Sequence, residues 1–372
     1  MNTTREKNKI PKAFEGIYDQ DVAVKILSNS IKRNRITHAY LFWGPEGVGK
    51  KLTAKAFAKS VLCSNREEMG CNNCSNCSRI EKECHPDLII IKPTGKTRLI
   101  SVENIEEINA LAQFRPYEGN RRFVVFEEAE RIGIPAQNHF LKTLEEPPSN
   151  TTFILITPNP GLILQTVRSR CQPVRFNRLH PNTIKSLLIK IASLGIEEAR
   201  TISNISQGQI SRSLEMLKSN KIEIILDIFT QLADKKDPLI LTTQFEEFID
   251  ALRKKIEKEF TLTAEEKKQL SSEEIDQLEE IITAEIEAKV SHEFESCLFL
   301  INCILRDILL YHYTKDNSML YYPQIISIYQ YWQPEKVFYA LEFLEKLRVY
   351  IARNISREKI IRDLFFTLSP HY

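Results

Sequence analysis

Glycine is missing from the last 164 residues of this 372-residue chain; all eleven glycines lie at or before Gly208. A stretch without glycine has no ready residue for left-handed turns or close backbone approach. That argues against a turn-rich C-terminal half and favours packed helices. Long hydrophobic runs are also missing. The longest, CLFLINCILRDILLY at 297–311, is broken by Asn302, Arg306 and Asp307, too early for a membrane span. The first dozen residues, MNTTREKNKIPK, hold no apolar stretch of the kind a signal peptide needs, and a cytoplasmic location is expected. Nor is there an excess of one charge. A net charge of +2 excludes a general basic surface and leaves any nucleic-acid contact to a local patch.

What is present divides the chain. AYLFW (39–43), DLIII (87–91), RFVVF (122–126) and TFILIT (152–157) are short apolar runs separated by helical patterns, the signature of buried parallel strands with crossover helices. Helices are expected at 48–62, at 101–114 behind a Ser cap, and at 135–146, where Pro147-Pro148 stops the pattern. After Pro173 the pattern turns helical, with short helices expected at 181–193, 196–205 and 209–219, and helix throughout from about 222. Residues 253–289 are roughly half charged and read as a long solvated helix or a helical hairpin.

Three constellations carry chemistry. The first is LFWGPEGVGKKLTAK (41–55), in which Gly44, Gly47, Gly49 and Lys50 form a phosphate loop between a strand and a helix. Such a loop wraps N–H groups around phosphates, its Lys reaches the β/γ oxygens, and a following Ser or Thr holds Mg²⁺. Here Lys51 stands where the hydroxyl belongs, and an ammonium cannot ligate a cation. Thr53 is no replacement, since two residues on is roughly 200° around the helix. The second half of such a site is an apolar strand ending in Asp. Strand 122–126 ends in Glu127-Glu128 instead. Both metal-side positions are altered, so nucleotide binding is plausible and fast hydrolysis is not.

The second is CSNREEMGCNNCSNC, which spaces Cys63, Cys71, Cys74 and Cys77 as C-x₇-C-x₂-C-x₂-C. Four thiolates suit a closed, structural zinc site; unliganded intracellular thiols are the alternative. Cys84 and His85 follow closely enough to replace a ligand, while Arg66, Arg79 and Lys82 would offset the negative charge. The third, RSRC at 168–171, is weak alone, because an exposed Arg beside a loop is usually only solvated.

Taken in order, HAYLFWGPEGVGK (38–50), the four-cysteine insertion, FRPYEGNRRFVVFEEAERI (114–132), NHFLKTLEEPPSNTTFILIT (138–157) and TVRSRCQPVRF (166–176) resemble bacterial clamp-loader AAA+ subunits. Among these, the sequence looks most like the δ′ branch of DNA polymerase III, with γ/τ as its sister. The resemblance covers about 15–220 and returns at ARNISREKIIRDLFFTL (352–368). It implies a RecA-like AAA+ domain over 1–177 with a zinc module at 63–77, a three-helix lid over 178–221, and a helical collar over 222–372 with the charged insertion at about 253–289.

The family pattern also assigns positions. It implies structural zinc on the four cysteines and a degenerate nucleotide site of Gly44, Gly47, Gly49, Lys50, Glu127, Glu128, Thr157 and Arg212, where ATP and Mg²⁺ would bind weakly. Thr157 and Arg212 match sensor positions, although Pro158 stands where the motor subunit often has a second Thr. Arg170 matches an arginine finger that enters a neighbour's ATP site. The implied partners are γ/τ and δ subunits, with the sliding clamp and primer–template DNA reached through the assembly. The implied role is a stator whose own ATPase is weak or absent, in an assembly whose polymerase activity lies in another subunit. The rival is the γ/τ-type motor, which Lys50 and the intact glycines favour and Lys51 and Glu127 oppose.

Overall fold

The structure, a computed structural model, describes residues 11–65, 67–93, 98–217, 220–260, 272–314, 316–352 and 357–371. Arg66 lies outside them, as do the ends or middles of the expected segments at 1–10, 218–219, 261–271 and 353–356. The chain forms two compact units, residues 1–213 and 214–372.

The first unit is built on five parallel strands: β1 (Ala39–Trp43), β2 (Leu88–Ile91), β3 (Arg122–Phe126), β4 (Thr151–Thr157) and β5 (Gln172–Arg175), ordered β2-β3-β4-β1-β5. Four match the apolar runs. The fifth is a correction to the helical reading after Pro173. β5 carries that proline and only Val174 is fully buried along it, so its sequence has no strand signal. A proline is tolerated there because β5 is an edge strand, pairing with β1 alone among the described residues.

Helices α1 (Asp21–Lys32), α2 (Lys50–Leu62), α3 (Ser75–Glu81), α4 (Val102–Gln113), α5 (Ile134–Glu145) and α6 (Gln165–Arg168) surround the sheet in sequence. Beyond β5 come α7 (Pro181–Ala192), α8 (Ile196–Ile205) and α9 (Ile210–Leu217). The Ser101 cap is part of a full capping box: its hydroxyl accepts from Asn104 N while the Asn104 side chain accepts from Ser101 N.

Both sheet faces are dry, which is why the strands read as unbroken apolar runs. On one face Tyr40 and Phe123 close on Phe57 of α2, with ring centroids 5.4 Å apart in each pair. On the other, Phe140 of α5 sits between Phe126 and Phe153, at 5.4 and 5.1 Å. Each edge-to-face pair adds about 0.5–1.5 kcal/mol beyond burial.

Asp87 stabilises the far end of the sheet from within. It is fully buried, and its carboxylate accepts from Tyr117 N (2.6 Å), Glu118 N (2.9 Å) and Gly119 N (2.7 Å), tying the loop before β3 to β2. Asp87→Ala strands these donors. It should lower unfolding free energy by about 3 kcal/mol or more, read from urea denaturation; a loss under about 1 kcal/mol would mean the loop is held by other means.

The second unit is helical: α10 (Lys221–Ala233), α11 (Pro238–Phe260), α12 (Ser272–Tyr313), α13 (Pro334–Ala352) and α14 (Arg357–Leu368). Trp332, buried among them, donates its indole N–H to Leu368 O at 2.7 Å. Asp307, which interrupts the longest apolar run, is buried too. Its carboxylate accepts from Tyr321 N and Tyr322 N at 2.7 and 2.8 Å and pairs with Arg306, while burial pushes its pKa up to about 6. Of the two readings of 253–289, the described residues give two helices joined by ion pairs, Arg253–Glu287 and Lys289–Glu259.

A phosphate loop, an exposed arginine and a four-thiol cluster

β1 ends at Trp43 and the chain turns into α2 through the glycine-rich loop. Gly47 and Gly49 take φ of +66° and +95°, conformations a side chain would strain. Gly44 is required for a second reason, since a Cβ there would run into the Phe176 carbonyl oxygen. Gly44 N donates to Thr157 O at 3.3 Å, so the ends of β1 and β4 meet at the loop. In an open parallel sheet this carboxyl edge is where ligands bind.

Lys50 folds back into the loop and donates to Gly44 O (2.6 Å) and Pro45 O (2.5 Å). Burial draws its pKa down to about 8, while the charges of Glu46 and Glu130 oppose the shift. Arg178, Gln209 and Arg212 line a cavity of about 390 Å³ together with Gly44, Pro45 and Glu46. The structure thus brings the glycines, Lys50 and Arg212 to one place. Glu46, Glu130 and Arg178 belong there too and went unnoticed in the sequence. No motif marks them, since they arrive from the loop itself, the turn after β3 and the segment before α7.

The remaining nucleotide-site candidates do other things. Thr157 is buried at the end of β4, and its hydroxyl accepts from Asn159 N at 3.1 Å. Glu128, with φ of +49°, is turned to Arg98 (2.8 Å) and Arg131 (3.6 Å) and is not brought to the loop. Glu127 pairs with Lys51, Nζ to Oε1 2.7 Å, and the same ammonium lies 2.8 Å from Glu83 Oε1. Burial works against that ammonium, but the close carboxylates of Glu127 and Glu83 outweigh it and hold its pKa above the ordinary lysine value. Thr53 donates to Gly49 O at 2.9 Å within its own helix.

These contacts bear on magnesium directly. Mg²⁺ takes oxygen ligands at about 2.0–2.1 Å in an octahedron. Here the position that should offer a hydroxyl offers a cation, paired with the strand-end carboxylate. The residues present do not fit the metal.

Arg170 sits between α6 and β5. Its Nη2 is 2.7 Å from Glu145 Oε1 at the end of α5, and its Nη1 donates to Thr166 O at 3.0 Å, while over a third of the side chain stays exposed. Its neighbour Cys171 is buried in the core among Val167, Ile163 and Leu155. Burial alone pushes that thiol up to about 12, so it anchors and does not react. A buried Cys after an outward Arg explains the S-R-C pattern: one residue fixes the backbone, the other presents charge.

The Sγ atoms of Cys63, Cys71, Cys74 and Cys77 all lie within 4.8 Å of one another. Cys63 caps α2 and Cys74 caps α3, with Cys77 inside its first turn. Zn–S bonds of about 2.3 Å in a tetrahedron set sulfurs about 3.8 Å apart; Cys63 lies 3.6 Å from Cys71 and 3.8 Å from Cys74. Backbone N–H groups of Cys71, Cys74 and Cys77 point at sulfurs at 3.3, 3.3 and 3.4 Å, as they would toward thiolates. Although burial opposes it, N–H groups at Cys77 and Ser64 bring Cys74 down to about 6. The cluster fits zinc. Cys84 is exposed and donates to Arg79 O, and His85 Nδ1 accepts from Asp87 N, so neither joins the four. Arg79 is engaged by Glu118 and Asn76.

A parallel sheet in this order, with a phosphate loop after its first strand and helices following, defines a P-loop ATPase-like domain of the AAA+ class. Residues 19–180 match the family model described as DNA polymerase III, delta subunit. The δ′ subunit of DNA polymerase III from Bacillus subtilis (strain 168) is 33% identical over 202 residues, 54% of this chain and 60% of that protein. The tau subunit from the same organism is 34% identical over 213 residues, 56% of this chain and 37% of that protein. A solved structure of a DNA polymerase III gamma subunit-related protein from Thermotoga maritima aligns over 94% of this chain and 99% of that one, at 18% identity and a TM-score of 0.45. Over residues 19–180 the chain is thus similar to the delta-type subunits of DNA polymerase III, and its likeness to δ′, tau and gamma subunits supports kinship with the clamp-loader proteins. The matches span less than two thirds of these curated relatives' own length. Among the described residues, no helix is long and apolar enough to cross a membrane.

Proposed function

We propose that the chain is a δ′-type stator of a bacterial clamp loader, lending Arg170 to the ATP site of a neighbouring subunit and not hydrolysing ATP itself. The observation that carries this reading is the Lys51–Glu127 ion pair, which stands where a motor subunit needs a hydroxyl, a carboxylate and a metal between them. A guanidinium keeps its charge and forks onto phosphate oxygens, so a subunit can retain its finger after its own motor has lapsed. Arg170 is suited to that task, exposed and already braced by Glu145.

On this reading the four cysteines hold a structural zinc, residues 178–221 act as the lid, and 222–372 act as the collar that assembles with γ/τ and δ. The sliding clamp and primer–template DNA are reached through that assembly, in the cytoplasm. The motor reading rests on the retained glycines and Lys50. It is weakened because Lys51 and Glu127, at the two metal-side positions, serve as each other's counter-ion.

The test is ATP turnover by the isolated full chain with Mg²⁺ and primed DNA. The stator reading predicts none above buffer; turnover comparable to a γ/τ subunit under the same conditions would replace it with the motor reading.

A further inference from the structure

Three lysines on one face of α2, spaced four residues apart, meet a row of acids. Lys59 Nζ is 2.5 Å from Glu81 Oε2. Lys55 Nζ is 3.2 Å from Glu81 Oε1 and 3.6 Å from Glu83 Oε1, and donates to Glu81 O at 2.7 Å. Lys51 Nζ closes the row, 2.8 Å from Glu83 and 2.7 Å from Glu127. Glu81 ends α3 and Glu83 lies two residues beyond it, just past the four cysteines, whereas Glu127 follows β3. The Lys51 ammonium is therefore fixed from two sides, and its neighbours Lys55 and Lys59 are committed to the same acidic pair.

In a metal-dependent phosphate loop, the side chain after the loop lysine and the carboxylate at the strand end face each other across Mg²⁺. In this chain the same two positions touch through an ammonium. A resident single positive charge lies beside the phosphate loop, and a dication brought there would meet the repulsion of an ammonium seated 2.7 Å from the strand-end carboxylate. The phosphate-binding part is not altered in the same way. The glycines keep their conformations, Lys50 reaches into the loop, and Arg178 and Arg212 line the adjoining cavity.

We propose that this loop takes a nucleoside di- or triphosphate free of divalent metal, with the Lys51 ammonium standing in the metal's place. The proposal rests on the reading that the chain's own site is not a motor, and goes beyond it by giving that site a ligand. A nucleotide so held has no metal to polarise water or neutralise a developing charge on the leaving phosphate, so it is retained without turnover. Magnesium then becomes an antagonist: it chelates free nucleotide, and the chelate carries a dication toward Lys51.

The experiment is calorimetric titration of ATP into the full chain, in EDTA and in excess Mg²⁺. Saturable binding is expected in EDTA, weakened by about tenfold or more in Mg²⁺. A paired variant, Lys51→Thr with Glu127→Asp, restores the hydroxyl and the shorter acid and should invert the order, binding more tightly with Mg²⁺ than without. Lys50→Ala should abolish binding in both buffers, which locates the ligand at this loop. Circular dichroism and zinc content verify that each variant is folded.

Wild-type binding that is equal or tighter in Mg²⁺ overturns the proposal. So does the absence of saturable binding in either buffer, or Lys50→Ala binding like the wild type. Failure here is separable from failure of the stator reading. A reconstituted loader that depends on Arg170, while the isolated chain binds no ATP, removes this inference alone.

Discussion

Replacing Arg170 by alanine in a clamp loader reconstituted with this chain lowers hydrolysis at the neighbouring ATP site by about 10³-fold or more. The size follows from what a finger supplies: a fixed positive charge on phosphate oxygens that gain negative charge only in the transition state. Binding of ATP to the neighbour should change little, because the contact strengthens as the reaction proceeds. Arg170→Lys should rescue poorly, since an ammonium is a point charge and cannot fork. Glu145→Ala should cost less, about tenfold, because Glu145 positions the guanidinium and touches no phosphate in the proposed complex. Single-turnover hydrolysis at equal complex assembly measures all three. Unchanged hydrolysis in Arg170→Ala would mean the exposed guanidinium is ordinary surface charge.

Zinc carries the second large effect. The full chain purified without chelator should hold about one equivalent of zinc, and Cys77→Ser should lose it. Apparent binding free energy for structural zinc runs to about 10 kcal/mol or more, and most of it is folding free energy. Loss should therefore open the segment between α2 and α3 to proteolysis. The damage should spread. Glu81 ends α3 and Glu83 follows it, and if that segment opens Lys55 and Lys59 lose their counter-ions while Lys51 keeps only Glu127. Metal analysis and limited proteolysis read this out. Zinc-free chain with an intact, protease-resistant insertion would show that the thiols pack as ordinary core residues.

Much of this architecture was legible. Strands β1 to β4 announced themselves as apolar runs because both faces of the sheet are covered, and the glycines and cysteines are residues whose geometry has few other uses. β5 was not legible, for it is short, largely polar and carries Pro173, features an edge strand permits. α3 hid inside the cysteine spacing, where metal-ligand residues replace the apolar periodicity of a helix. The Glu127-Glu128 doublet could not be resolved by sequence, since adjacent residues at a strand end point to different sides; only the fold shows one on Lys51 and the other on Arg98. Lys51 itself read as a defect. Its partners come from two separate segments, and until they are brought together an altered residue cannot be told from a compensated one.

On the stator reading this subunit lends chemistry and does not perform it. The most direct test compares Lys50→Ala and Arg170→Ala of this chain in the loader reconstituted with γ/τ and δ, measuring ATPase stimulated by clamp and primed DNA at matched assembly. On the stator reading Arg170→Ala sharply reduces turnover while Lys50→Ala stays within about twofold of the wild type. A large loss with Lys50→Ala and little with Arg170→Ala would contradict it and make the chain a motor.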